Sequence, residues 1–159
     1  MSTPRADGYS LPAEWAAHER TLMAWPGRPE LWRDQIGDAR REYAACANAI
    51  AAFEPVTMVC AGAAAVASAR SALTAAIEII ALPLDDAWLR DSGPLFVVDG
   101  NRRRAGVHFR FNARGGKFAS WGRDEAAGGR SPGATGNARI RRRSSSKAAR
   151  SRWTERGLS

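Results

Sequence analysis

A run of charged and aromatic residues lies between two apolar segments of this 159-residue chain and restricts its fold more than any other stretch. Residues 84–94 carry three acids, an arginine, a tryptophan and a Gly-Pro turn. The flanking residues, 77–82 and 95–99, have the composition of β-strands. Polar groups held at a crossing between strands are typical of a cleft, although a solvated acidic surface turn explains this stretch equally well.

The net charge of +8 is concentrated in the last part of the chain. Residues 125–159 contain nine Lys or Arg and two acids, whereas residues 1–124 contain fifteen basic and fourteen acidic side chains. The basic segment has too few large apolar side chains to offset the entropy lost on ordering. The sequence therefore predicts a folded part, 1–124, and a disordered basic tail, 125–159.

The spacing of apolar residues before that tail predicts alternating strands and helices. Strands are predicted at 21–26, 56–61, 77–82, 95–98 and 105–111, and helices at 29–53 and 63–76. The turn residues at 99–101 predict that the last two strands form a hairpin. This order of elements predicts a mixed α/β architecture.

The two cysteines, Cys46 and Cys60, each lie in an apolar segment, which predicts buried thiols in a reducing cytosol. Neither cysteine has the spacing of a metal ligand, so no metal site is predicted. The chain has no run of about eighteen apolar residues and no apolar signal-peptide core near Met1. We therefore expect a cytoplasmic protein without a membrane partner.

Four groups of residues carry a resemblance to a known family. They are Leu11-Pro12-Ala13-Glu14-Trp15 with His18-Glu19-Arg20-Thr21 and Met23-Ala24-Trp25-Pro26, Phe53-Glu54-Pro55-Val56, Asp85-Asp86-Ala87-Trp88-Leu89-Arg90-Asp91-Ser92-Gly93-Pro94, and Phe111-Asn112 with Gly115-Gly116-Lys117. In this order, over residues 10–124, they resemble the agmatine deiminases and the related bacterial peptidyl-arginine deiminases.

The resemblance implies a pentein α/β propeller, built from five ββαβ-type units, of which this chain is long enough for about one and a half. It also implies hydrolysis of a guanidinium without a metal or organic cofactor. The reaction would convert agmatine and water to N-carbamoylputrescine and ammonia, a step from arginine to putrescine. A cysteine thiolate attacks the guanidinium carbon, and a histidine protonates the leaving ammonia and activates water. Peptidyl-arginine is the alternative substrate.

Carried over by position, Asp91 is implied to be a catalytic carboxylate that binds the guanidinium, and Trp88 a wall of the substrate pocket. Asp85, Asp86 and Arg90 are expected to contact these two residues rather than the substrate itself. A carboxylate suits this task because the guanidinium is planar and permanently charged, and its N–H fork matches two carboxylate oxygens. The expected partner is therefore a small guanidino molecule.

This chain also departs from the family pattern. Arg114 stands where the family has tryptophan in its Phe-Asn-x-Trp-Gly-Gly-Lys loop. The Glu-Gly-Gly segment, the His-x-Asp pair and the C-terminal nucleophilic cysteine of the family are missing from this sequence, so we expect the chain to be inactive alone. His18 and His108 are interpreted as structural, and Trp25 is more typical of packing than of a site.

The tail supplies a hypothesis for these missing parts. Residues 144–159, back-translated and read from the third base of each codon, can encode Val-Leu-Glu-Gly-Gly-Ser-Ile-Ala-Val-Asp-Gly-Glu-Gly-Thr-Leu, the next motif of the family. A shift of reading frame between Asp124 and Ser144 would explain the basic tail. The alternative is a small nucleic-acid-binding protein, because Arg141-Arg142-Arg143 would bind phosphates, but no stacking aromatic series or recognition helix accompanies these arginines.

Overall fold

The computed structural model describes residues 3–130 and the strand at 139–142. The strands are β1 Tyr9–Ser10, β2 Thr21–Ala24, β3 Val56–Cys60, β4 Glu78–Ala81, β5 Leu95–Asp99, β6 Arg104–Phe109 and β7 Arg139–Arg142. The helices are α1 Pro29–Trp32, α2 Ile36–Ile50, α3 Ala63–Ala72, α4 Leu89–Ser92, α5 Ala113–Gly116 and α6 Gly122–Ala127. The prediction of a mixed α/β architecture is confirmed.

The first half of the chain forms a parallel sheet in the order β2-β3-β4. Every side chain of β3 is buried, as expected for a central parallel strand that is covered on both faces. Helices α2 and α3 contribute buried alanines to the core that includes Met58 and Trp25. These small side chains let both helices approach the sheet closely.

The second half forms a sheet in the order β1-β5-β6-β7, in which β5 and β6 are the predicted hairpin. The carboxylate of Asp99 shapes the connecting turn, because it accepts the backbone N–H groups of Asn101 at 3.0 Å and Arg103 at 2.8 Å. Strand β7 pairs with β6 in parallel.

Residues 82–94 lead from the carboxyl end of the parallel sheet β2-β3-β4 into the mixed sheet β1-β5-β6-β7, and we call this segment the crossing. Leu84 and Ala87 of the crossing are buried in a small apolar cluster with Ala24, Val59 and Ala127. The crossing is therefore packed against β2, β3 and α6. Its conformation is set by contacts with residues that are distant in sequence.

The prediction of one helix over 29–53 is wrong, because the structure divides this segment into α1, a 3-10 turn at Arg33–Gln35 and α2. The break lies at Arg33, whose φ of 52° is incompatible with a continuous right-handed helix. Apolar residues on both sides of the break keep a helical spacing, and that spacing carries no information about the backbone angle at Arg33.

The predicted boundary at residue 124 also differs from the structure. Helix α6 runs to Ala127, and β7 lies within the segment predicted to be disordered. The order continues because Ala127 and Asp124 are both buried, the first in the apolar cluster and the second by hydrogen bonds to the crossing. The rest of the predicted tail lies outside the described residues. Within those residues, no helix is long and apolar enough to cross a membrane.

Candidate functional site

Trp88 and Asp91 lie on a single helical turn within the crossing. The carbonyl oxygen of Trp88 accepts the N–H groups of Asp91 at 3.1 Å and Ser92 at 3.0 Å, and also the hydroxyl of buried Ser92. The N–H of Gly93 donates to Leu89 O at 2.7 Å, and a Cβ at Gly93 would lie only 2.4 Å from that oxygen. The turn therefore requires glycine at this position because of space.

Trp88 is fixed at one edge and open elsewhere. Its indole Nε1–H donates to the Asp86 Oδ2 atom at 2.5 Å, while 48% of the residue remains exposed. Asp86 is itself fixed, since its Oδ1 atom accepts the N–H of Ala87 at 2.7 Å. An exposed indole face can bind a planar cation by a cation–π contact.

Asp91 is exposed on the same turn as Trp88. The neighbouring Arg90 forms an ion pair with Glu14 at 3.1 Å, and both of these side chains are almost fully exposed. The structure thus places Arg90 at the surface with the segment that precedes β2. Such an exposed pair contributes little stability.

Asp85 occupies a different position, in a polar cleft of about 570 Å³. The cleft is lined by Arg28, Glu30, Ala61, Leu84, Asp85, Ser120, Gly122 and Arg123. Trp88 and Asp91 are not among its lining residues. The structure therefore separates Asp85 from the other two predicted site residues.

The chain's own arginines already balance the charge of Asp85. Arg28 Nη1 donates to the backbone oxygen of Asp85 at 3.3 Å, and guanidinium nitrogens of Arg28 and Arg123 each lie 4.0 Å from Asp85 Oδ1. The bond from Arg28 to Glu30 raises the pKa of Arg28, so this guanidinium stays charged. Asp85 is thus a poor candidate for binding a substrate cation.

Asp124 was missed by the sequence analysis, which used it only as a boundary. It is 3% exposed, and its Oδ1 atom accepts the N–H groups of Asp85 at 2.7 Å and Asp86 at 3.1 Å. Burial raises the pKa of the Asp124 carboxyl, although these two donors oppose the shift. No local pattern links residues this far apart in sequence.

The remaining candidates, His18, His108 and Trp25, differ in their surroundings. The His18 ring contacts the Glu14 carbonyl at 3.0 Å and the Glu54 carboxylate at 3.3 Å. His108 is half-buried on β6, and Trp25 is buried in the main core. No group of three or more His, Cys, Asp or Glu side chains within the described part of the chain is arranged to hold a metal ion.

The two cysteines differ in environment. Burial raises the pKa of the Cys60 thiol to about 11, as expected for a thiol within a core strand. Cys46 is exposed, so the prediction that both thiols are buried is wrong for this residue. Ala44 and Ala47 form the buried face of α2, and the helical period places Cys46 on its outer side.

The fold is similar to part of the fold of an agmatine deiminase. The structure of the agmatine deiminase of Enterococcus faecalis superimposes with a TM-score of 0.81 at 30% identity, covering 91% of this chain and 40% of that chain. A profile of the Porphyromonas-type peptidyl-arginine deiminases matches residues 10–148. The chain therefore belongs to the Porphyromonas-type peptidyl-arginine deiminase family, and the resemblance seen in the motifs is confirmed.

The sequence relatives point to the same group. Over 129 residues the chain is 52% identical to the agmatine deiminase of Stutzerimonas stutzeri strain A1501, which covers 78% of this chain and 35% of that protein. It is 48% identical over 129 residues to the agmatine deiminase of Pseudomonas aeruginosa strain LESB58, with the same coverage. The chain thus spans about a third of the length of these curated relatives.

Proposed function

We propose that this chain is the substrate-binding N-terminal part of an agmatine-hydrolysing enzyme, and that the crossing holds the guanidinium group. The observation that carries the proposal is the 52% identity to an agmatine deiminase over the segment that contains Trp88 and Asp91. The geometry supports it, because both residues lie on one turn and are exposed.

The residue chemistry suits a flat cation. Asp91 can accept two N–H groups of a guanidinium, and the exposed face of Trp88 can stack against the same plane. These two groups recognise charge and planarity, whereas the aliphatic amine end of agmatine would need contacts elsewhere.

Hydrolysis needs a nucleophile that this chain does not supply at the crossing. A thiol with a pKa of about 11 is protonated near neutral pH, so buried Cys60 cannot attack the guanidinium carbon. Cys46 lies on the outer side of α2. We therefore expect the chain alone to bind agmatine without releasing ammonia.

The same proposal includes the fold, the cellular location and the pathway of the whole enzyme. The described sheets would be about one and a half units of a five-unit pentein propeller, and the enzyme would act in the cytoplasm on the way from arginine to putrescine. Peptidyl-arginine is the second candidate substrate, favoured by the peptidyl-arginine deiminase profile that matches residues 10–148.

Calorimetric titration with agmatine tests the proposal. We expect wild-type chain to bind agmatine and not putrescine, which lacks the guanidinium. Asp91→Asn should weaken binding at least about tenfold, as expected for a lost charged hydrogen bond. Asp38→Asn, which changes an exposed acid on α2, is the matched control and should bind like wild type.

Two results would contradict the proposed site or the proposed substrate. Equal binding of agmatine by wild type and Asp91→Asn would contradict the proposed site. Tighter binding of an arginine-containing peptide than of agmatine would instead favour the second substrate.

A further inference from the structure

Asp124 and the crossing hold each other by reciprocal hydrogen bonds. The Asp124 carboxylate accepts the N–H groups of Asp85 and Asp86 at 2.7 and 3.1 Å. In return, the Asp85 Oδ2 atom accepts the N–H of Arg123 at 2.9 Å. We call these three bonds the clasp. Since Asp124 and Asp85 are both buried, water cannot easily replace the lost partners if one bond is removed.

The apolar side of the same contact reinforces the clasp. Ala127 of α6 is 1% exposed and packs in one cluster with Leu84 and Ala87 of the crossing. Polar and apolar contacts therefore fix residues 84–87 against α6 from two directions.

The side chain of Asp86 connects this fixed backbone to the indole ring of Trp88. Asp86, whose N–H is held by Asp124, accepts the indole Nε1–H with its Oδ2 atom. A half-exposed tryptophan without this bond could adopt several side-chain rotamers. Restricting it to one rotamer when a ligand binds would then reduce the binding free energy.

We propose that Asp124 and Asp86 are positioning residues that set the plane of the Trp88 ring for a guanidinium ligand. This inference rests on the proposed function. In this inference, buried Asp124 and half-buried Asp86 orient the ring of Trp88. Trp88 and Asp91 are the residues that contact the ligand.

The acceptor oxygen of Asp124, and not its negative charge, should carry this role. Burial disfavours the charged form, and it raises the pKa of this carboxyl despite the two N–H donors. An asparagine at 124 keeps an oxygen that can accept both N–H groups and removes the buried charge. A leucine keeps the approximate volume and removes the acceptor.

The test without ligand uses the indole N–H signal of Trp88 in ¹⁵N-labelled full-length chain, assigned by its loss in Trp88→Phe. We expect Asp86→Ala and Asp124→Leu to shift this signal and to speed its exchange with solvent at least about fivefold, as for a lost hydrogen bond. Asp124→Asn should leave the signal near its wild-type position. Glu125→Gln changes an acid beside Asp124 and serves as the matched control.

Two outcomes would overturn the inference. One is a folded Asp124→Leu chain, by far-UV circular dichroism, with an unchanged Trp88 signal. The other is an Asp124→Asn chain as disturbed as Asp124→Leu. If Asp124→Leu does not fold, Asp86→Ala decides, because it keeps the backbone N–H that donates to Asp124 and removes the carboxylate that accepts the indole N–H and the Ala87 N–H.

Agmatine titrations of the same variants separate this inference from the proposed function. We expect binding to weaken about tenfold in Asp86→Ala and to change less than about twofold in Asp124→Asn. Unweakened binding in Asp86→Ala would overturn the positioning role. Absence of agmatine binding in wild type would overturn the proposed function, and the signals without ligand would still decide whether the clasp orients Trp88.

Discussion

At the scale of single residues, burial divides the acids of the crossing and of the adjoining helix α6 into two groups. Asp85 and Asp124 are buried, and backbone N–H groups at 2.7–3.1 Å donate to one oxygen of each carboxylate. Asp91 is exposed, so a ligand can reach its carboxylate. Because a guanidinium can reach an exposed carboxylate more readily than a buried one, Asp91 is a better candidate for substrate binding than Asp85 or Asp124.

The sequence motif placed Asp91, Trp88, Asp85, Asp86 and Arg90 in one segment, but it could not distinguish their environments. Whether an acid is buried depends on what packs against it, and the partner here is α6, more than thirty residues away. Arg90 illustrates the same limit. Its exposed ion pair with Glu14 joins it to a segment near the start of the chain.

The two thiols provide a prediction at the residue scale. Because burial raises the pKa of Cys60 to about 11, its thiol should resist a disulfide reagent in native protein at pH 8. Exposed Cys46 should react rapidly. Counting reacted thiols should give one fast group per chain, and two after denaturation in urea.

The control for this measurement is Cys46→Ser, which should show no fast thiol. Two fast groups in native wild type would contradict the burial of β3 in the core.

At the scale of elements, the sequence predicted strands better than the segments between them. The apolar run of β3 and the turn before β6 carry local signals, namely β-branched residues and hairpin residues. The break at Arg33 and the one-turn helix α4 depend on single backbone angles and on contacts with other elements. Spacing of apolar residues does not encode either feature.

Gly93 gives a prediction for the turn that carries Trp88 and Asp91. Gly93→Ala should lower the free energy of unfolding by about 1–3 kcal/mol, because its Cβ would lie 2.4 Å from the Leu89 oxygen and force the turn to move. Urea unfolding followed by circular dichroism measures this change.

The matched control for that variant is Gly37→Ala in α2. A Cβ at Gly37 has no neighbour within 4 Å, so alanine should stabilise the helix by up to about 1 kcal/mol. Equal unfolding midpoints for Gly93→Ala and Gly37→Ala would show that the crossing does not have the described turn.

At the scale of the whole molecule, the division into a nearly neutral body, 1–124, and a basic tail, 125–159, stays a prediction, although α6 continues past residue 124 to Ala127. Helix α6 has only a short and weakly apolar pattern, so its packing through Ala127 could not be foreseen. The family match, which extends to residue 148, also passes the predicted boundary.

The tail leads to a prediction at the nucleotide level. If a frame shift between Asp124 and Ser144 produced the basic tail, the DNA that encodes residues 144–159 should contain the Glu-Gly-Gly motif in the alternative frame. Sequencing this region of the gene checks the hypothesis directly. An alternative frame that lacks the motif or is interrupted by stop codons within this stretch would contradict it.

The central claim, that the crossing binds a guanidinium group, is tested most directly by a crystal structure of the chain with agmatine. We predict guanidinium nitrogens about 2.7–3.2 Å from the Asp91 carboxylate, with the plane of the group against the exposed face of Trp88. A guanidinium bound instead beside Asp85, in the cleft with Arg28 and Arg123, would contradict the claim.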